Sequence, residues 1–265
     1  MALKLGTADA GFGGADKAFL GANQVWAAAS GPAYDPRVTH AWNPIDGANA
    51  AGQVANLIAG QPPLYAVGDG AVSDWDGNFT TGVCCVLPSP DMGWYWGGAE
   101  FTITAWINVD PSMSTYGQLW GVADGDVFNG SGGATRGSWS VARSGSSNGF
   151  RTFCQTSYNA GANASGYTIP TNTWLLLATR IGAGKWRTIV NDYDSNSSLS
   201  WLNEDIPDAD IGVGFAIGYG RNIVDQNDNG QSGSNFVGQM KDVRIWNESI
   251  SDADITALHA AGPLF

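Results

Sequence analysis

FVGQMKDVRIWNESISDADITALHAAG, residues 236–262, reads as one strand, one turn and one short helix. Phe236, Gly238, Met240, Val243, Ile245 and Trp246 form the mixed apolar and polar pattern of a half-buried strand. Asn247-Glu248 interrupts it. Ser251 is a suitable N-cap, and Asp254, three residues on, completes a capping-box pair. Ile255, Leu258 and Ala261 then fall on one helical face, and Gly262-Pro263 stops the helix.

Working outward, Phe101-Thr-Ile-Thr-Ala-Trp-Ile-Asn-Val-Asp110 alternates with Phe101, Ile103, Ala105 and Ile107 on one face, which predicts a second strand. Further strands are expected at Phe79–Leu87, Gly117–Ala123, Gly137–Arg143, Phe150–Thr156, Trp174–Ile181, Lys185–Asn191 and Gly212–Tyr219. Asp69-Gly70 and Asp76-Gly77 read as tight turns. Gly/Ser/Asn-rich loops separate the strands at 129–137, 144–149, 159–168, 191–200 and 222–235. Short strands at this spacing suit a two-sheet antiparallel sandwich, and the lack of an internal repeat disfavours a propeller or solenoid.

The composition points the same way. The 265 residues include 37 glycines and 12 tryptophans but are 14% charged, which suits a rigid all-β protein with enough apolar side chains for a core. A net charge of −12 argues against nucleic acid and against anionic lipid as partners. No apolar run is long enough to insert in a membrane. The first residues lack a continuous apolar core, so they do not read as a secretory signal. Cys84, Cys85 and Cys154 are expected to be buried thiols, with a bridge from Cys154 to either neighbour left open.

The closing segment resembles that of concanavalin A-like, laminin G-like jelly rolls, in which an F-x-G-x-[ILM]-x-[DE]-[VF]-R-[IV]-[WY]-N strand precedes L-S-x-x-E-I-x-x-L. Phe236, Gly238, Met240, Asp242, Val243, Arg244, Ile245, Trp246 and Asn247 carry the first part, and Ile250, Ser251, Asp254, Ile255 and Leu258 the second. Phe101–Ile107 resembles the family's F-T-I-S-A-W-[IV] strand. His40–Gly47 resembles its opening strand. Trp174–Arg180 resembles its W-x-H-[VL]-A-x-T strand, with Leu176 where a histidine is common. The resemblance implies an all-β, two-sheet antiparallel jelly roll over residues 38–265 with one short C-terminal helix. Residues 1–31 form an N-terminal extension and 32–37 a linker. Lys17-Ala-Phe-Leu-Gly-Ala-Asn-Gln-Val-Trp26 reads as a hairpin turning near Ala22-Asn23, with Phe19, Leu20, Val25 and Trp26 on its apolar face. It resembles a short motif near the start of many tailed-phage structural proteins, which implies that these four residues dock the chain to a particle.

The jelly-roll family hosts both enzymes and binding modules, so activity has to be argued from residues. Glucanases of this fold use an E-x-D-x-E strand; Glu100, Glu204 and Glu248 offer no such pair. No G-x-S-x-G elbow occurs, and His259 suits a helix end better than a base. No catalytic residue is therefore assigned. Asp225, Asn227 and Asp228 supply oxygens before Gly230 as in the first half of an EF-hand loop, but Phe236 stands where its bidentate glutamate belongs. With Asp124 and Asp126, and with Asp192 and Asp194, they are the calcium candidates, should the three loops converge on one rim. A polar turn is the plainer reading of each. Trp94 and Trp96, one face of Gly93-Trp-Tyr-Trp-Gly97, and Tyr219 are the candidates to stack on a sugar ring, with burial or a subunit contact as the alternative for the tryptophans.

The expectation is a non-enzymatic virion structural protein of a tailed phage: a capsid decoration, tail or fibre component. It would be assembled in the host cytoplasm, associated with other virion proteins and with itself, for example as a trimer. Its jelly roll would project towards host-surface glycan. The alternative is a carbohydrate-binding or adhesion module of an extracellular bacterial protein.

Overall fold

The computed structural model describes residues 17–20, 23–27, 34–68, 73–80, 83–87, 100–113, 117–122, 139–143, 149–155, 159–163, 168–182, 185–191, 193–197, 215–218 and 235–264. The chain divides into two units, residues 1–35 and 36–265. In the first, β1 (Lys17–Leu20) and β2 (Asn23–Ala27) pair antiparallel. Leu20 faces Asn23, so the connection is Gly21-Ala22 and Asn23 already belongs to the second strand. Phe19, Leu20, Val25 and Trp26 thus lie on the expected hairpin, their side chains being outside the described residues.

In the second unit the strands are β3 (Val38–Trp42), β4 (Gln53–Val54), β5 (Leu64–Gly68), β6 (Asn78–Phe79), β7 (Val83–Leu87), β8 (Phe101–Val109), β9 (Gln118–Val122), β10 (Trp139–Arg143), β11 (Phe150–Gln155), β12 (Asn159–Asn163), β13 (Trp174–Gly182), β14 (Lys185–Val190), β15 (Tyr193–Ser197), β16 (Phe215–Ile217) and β17 (Gly238–Trp246), followed by helix α1 (Asp252–Ala261). Among the described residues they form an eight-stranded sheet, β12-β11-β10-β9-β16-β7-β5-β4, and a seven-stranded sheet, β15-β14-β13-β8-β17-β3, with β6 beside β17. The ladders between these strands are antiparallel. The all-β sandwich with one short C-terminal helix is therefore present.

Inward side chains of both sheets fill the space between them. Ile103, Ala105 and Ile107 of β8, Leu175 and Leu177 of β13 and Met240, Val243 and Ile245 of β17 meet Leu64, Cys85, Leu87, Trp120, Phe215 and Ile217 of the other sheet. Full burial of each large apolar side chain contributes about 1.5–3 kcal/mol. Trp120 Nε1 donates to Thr179 Oγ1 at 3.2 Å, a polar tie between the sheets. Trp75, Phe79 and Phe236 close one end of the core with edge-on contacts at 4.9 and 5.6 Å.

Helix α1 covers the outer face of the seven-stranded sheet. Ser251 Oγ accepts from Asp254 N, and the Asp254 carboxylate accepts from Ser251 N, so the capping box is formed. Ile255 is buried, Leu258 half-buried and Ala261 exposed, so the expected apolar face is covered at its first two positions and open at its third. Thr102 Oγ1 donates to Glu248 O and accepts from Ile250 N, and Arg180 Nη1 donates to Ile250 O at 2.7 Å. Arg180 also pairs with Asp252. His259 is stacked on Trp106, ring centroids 5.9 Å apart, an aromatic contact in place of a carbonyl cap.

Three strand expectations need correction. Phe79–Leu87 is two strands in different sheets: β6 pairs with β17, and β7 pairs with β5 and β16. The expected loops at 159–168 and 191–200 contain β12 and β15, outermost in their sheets. Asn159-Ala-Gly-Ala-Asn163 and Tyr193-Asp-Ser-Asn-Ser197 lack the apolar alternation of a half-buried strand, which is why they read as loops.

Candidate functional site

Register builds a row across one end of the seven-stranded sheet. Trp174 of β13 faces Asn108 of β8, Asn108 faces Gln239 of β17, and Gln239 faces Asn78 of β6. Their chain neighbours Leu175, Ile107, Val109, Met240 and Phe79 are in the core. Strand alternation therefore puts Trp174, Asn108, Gln239 and Asn78 together on the outer face. Three strand spacings make the row about 14 Å long. Asn78 is exposed, and the other three are half-buried.

Hydrogen bonds orient the row. Gln239 Nε2 donates to Asn78 Oδ1 at 2.8 Å, and Asn78 Nδ2 donates to Asp76 Oδ2 at 2.9 Å. The Asn78 side chain and backbone amide together hold the Asp76 carboxyl below the usual carboxylate range. Donation runs towards Asp76, which leaves Gln239 Oε1 as the acceptor at the inner end of the relay. Asn108 Oδ1 has no hydrogen-bond partner. One step along, the Lys241 ammonium lies 4.4 Å from the Trp174 ring centroid, a cation–π contact. An indole beside primary amides can stack on an apolar ring face and bond its hydroxyls.

Two features hold the row in place. Gly238 has φ +142°, and a Cβ there would lie 2.1 Å from Asn108 O, so glycine is what permits β17 to approach β8. Behind it, β17 bulges between Lys241 and Arg244, with Asp242 at φ +51°. Asp242 receives Arg244 Nε at 2.7 Å and Nη2 at 2.6 Å, and Leu264 N at 3.0 Å; its own N–H donates to Asn43 Oδ1. The DVR segment of the closing strand is thus a buried bidentate ion pair that fixes the bulge, the turn after β3 and the end of the chain.

Elsewhere at this end, Asn235 and Gln118 are buried and joined by a parallel bridge. Asn235 Nδ2, Asn235 Oδ1 and Gln118 Oε1 have no partner. Asp110 accepts from Ser112 N and Oγ, which lowers its carboxyl. Towards the opposite end, buried His40 lies against Trp42, and burial lowers its pKa to about 4. Arg37 binds Glu248 at 2.9 Å and Asp254 at 3.1 Å; with Ser251 it brings Asp254 down to about 2.

The residues singled out in the sequence fare differently. Trp94, Trp96, Tyr219, Asp225, Asn227, Asp228, Asp124, Asp126 and Asp192 lie outside the described residues, as does the Asp194 side chain in β15. The described ends flanking two of the acidic loops lie apart. Val122 faces Phe215 at one end of its sheet, whereas Gly218, at the other, is bonded to Phe236. Cys84 and Cys85 are buried free thiols, and burial pushes Cys84 up to about 12, which makes it inert. The Cys154 side chain lies outside the described residues. Among the described residues, no three His, Cys, Asp or Glu side chains are gathered to hold a metal ion. The row itself was not anticipated. Its signal was present in the two strands whose alternation turns Asn108 and Trp174 away from the core.

No family model matches the chain, and no curated protein matches it in sequence. Solved structures do match in fold. Domain 4 of AbnA, a GH43 extracellular arabinanase from Geobacillus stearothermophilus, in complex with arabinotriose, is 14% identical with TM-score 0.56, over 83% of this chain and 97% of that one. Trypanosoma rangeli sialidase in complex with a difluoro-nononic acid is 14% identical with TM-score 0.58, over 85% of this chain and 33% of the sialidase. The ligand-binding domain of botulinum neurotoxin serotype D, in complex with N-acetylneuraminic acid, is 12% identical with TM-score 0.52, over 85% and 51%. This chain thus spans nearly all of the arabinanase domain, a third of the sialidase and half of the neurotoxin domain. At such identity the likeness carries the fold alone.

Proposed function

We propose that the chain is a non-catalytic glycan-binding module whose sugar lies on the Trp174–Asn108–Gln239–Asn78 row. The observation that carries this is the register that sets one indole and three primary amides side by side on an outward sheet face. Support from fold comes from sandwiches seen with arabinotriose and with N-acetylneuraminic acid. The lack of an E-x-D-x-E strand speaks for binding without cleavage. A glycan array read with the wild type and with Trp174→Ala tests the proposal. Losing a stacked indole should cost about 2 kcal/mol, roughly thirtyfold in affinity. A wild-type protein that binds no glycan overturns the function. Equal binding by the variant overturns the site.

A second reading, a tailed-phage virion component projecting this module, rests on the β1–β2 hairpin and the motif it carries. In that setting Phe19, Leu20, Val25 and Trp26 dock the chain, self-association multiplies weak sugar contacts, and calcium belongs to the Asp225 loop. Deleting residues 1–31 should abolish incorporation into particles, and normal incorporation would remove the docking role. Calorimetric titration with calcium before and after Asp225→Ala tests the metal; no heat in either protein removes it.

A further inference from the structure

We propose that Lys241 is a displaceable strap across the row: in the free chain its ammonium holds the Trp174 ring face on which a sugar stacks, and a ligand gains that face by expelling it. This rests on the glycan-binding reading above and makes Lys241 a residue that limits the affinity of the site.

Register gives the path of the strap. Lys241 of β17 faces Trp106 of β8, and Trp106 faces Leu176 of β13, one row along from Gln239, Asn108 and Trp174. Two strand spacings and two residues separate the Lys241 and Trp174 backbones, a diagonal of about 12 Å. The ammonium nevertheless lies 4.4 Å from the Trp174 ring centroid. Its stem therefore runs over β8, between Trp106 and Asn108, and reaches the indole from the side on which the amides stand. A stem on this path covers Asn108. It accounts for an outward side chain whose Oδ1 is buried and without a partner, since methylenes exclude water and donate nothing. On the other side of the stem Trp106 is closed by His259, so Trp174 is the indole that movement of the stem uncovers.

The strap is also lightly held. Among the described residues Lys241 forms no ion pair. Its chain neighbour Asp242 is taken by Arg244, and Glu248, Asp252 and Asp254 bind Arg37, Arg180 and Arg187. Trp174 is half-buried, so water reaches the contact. A cation–π contact at such a site is worth about two- to fivefold in an equilibrium constant. That keeps the ring covered most of the time, and the roughly thirtyfold expected of a stacked indole outweighs it.

Two measurements on the intact chain test this. Lys241→Ala removes the strap, Lys241→Arg keeps a cation over the ring, and an unchanged circular dichroism spectrum controls for folding. Hydroxyl-radical footprinting needs no ligand. Trp174 is the one tryptophan in the tryptic peptide 152–180, so mass spectrometry reads its oxidation directly. Oxidation should rise at least about twofold in Lys241→Ala and stay at the wild-type level in Lys241→Arg. On a glycan array read over a protein dilution series, Lys241→Ala should bind the glycans that the wild type binds about two- to fivefold tighter, and Lys241→Arg no tighter. Unchanged Trp174 oxidation in Lys241→Ala, or glycan binding that is equal or weaker, overturns the strap and leaves the glycan reading standing. Binding of no glycan by either protein overturns that reading and the strap together.

Discussion

Arg244→Met should be the most damaging conservative substitution in the closing strand. Arg244 and Asp242 are 7% and 3% exposed, and two short bonds at 2.7 and 2.6 Å join them. Methionine preserves much of the stem but leaves the Asp242 carboxylate buried, with the Leu264 N–H as a remaining donor. Removing one member of a buried pair costs about 3–5 kcal/mol, because the other charge is left uncompensated. For a domain of this size each kcal/mol lowers the melting temperature by about 2–4 °C, so the expected drop is about 10 °C. A double-mutant cycle with Asp242→Asn isolates the pair. Asparagine tolerates the positive φ of the bulge and carries no charge. The double variant should be more stable than the sum of the single losses implies, by about 2 kcal/mol or more. Urea and thermal unfolding followed by circular dichroism measure all four proteins. A loss below about 1 kcal/mol for Arg244→Met, or strict additivity in the cycle, would refute the assignment of this pair as the anchor of the bulge.

His40 should make the fold acid-sensitive. Above pH 6.5 its ring is neutral whether folded or not; as pH falls from 6.5 to about 4 the unfolded chain takes up a proton that the buried ring refuses. Stability should therefore fall through that window by up to about 3 kcal/mol, and His40→Gln should flatten the urea-midpoint profile there; an unchanged profile contradicts it. Asn235→Leu should raise the melting temperature, since it removes two buried amide atoms without partners, each costing about 1–3 kcal/mol. A lower melting temperature would mean that a buried polar occupant satisfies them. Gly238→Ala should cost about 3 kcal/mol or more in denaturant unfolding, from its backbone conformation together with the collision at Asn108 O, and a near-neutral result would contradict that close approach.

The parts of the fold that were legible are those in which local pattern and burial agree. Phe101–Val109 and Gly238–Trp246 carry enough inward apolar residues to read as strands, and Ser251 with Asp254 announces the helix start. Phe79–Leu87 misled because its break, Thr80-Thr81-Gly82, has neither proline nor charge to separate one sheet from the other. The outer strands β12 and β15 carry too few alternating apolar residues in sequence to leave a period. The candidate site was hidden for a different reason. Asn78, Asn108, Trp174 and Gln239 are each unremarkable outward residues in their own strands. Pairing across four strands, a non-local property, makes them neighbours. The bulge at Asp242 was equally invisible, because nothing in Lys241-Asp-Val-Arg244 signals a positive φ. The aromatic run around Trp94 attracted attention because it is contiguous, whereas the row depends on register.

The most direct test of the glycan-binding account is a two-dimensional ¹H–¹⁵N NMR titration of the intact chain with a neutral trisaccharide. The account predicts that the Trp174 indole N–H and the side-chain amide signals of Asn78, Asn108 and Gln239 move together and saturate with one binding constant. Shifts confined to other signals, with these four unmoved at saturation, would contradict it.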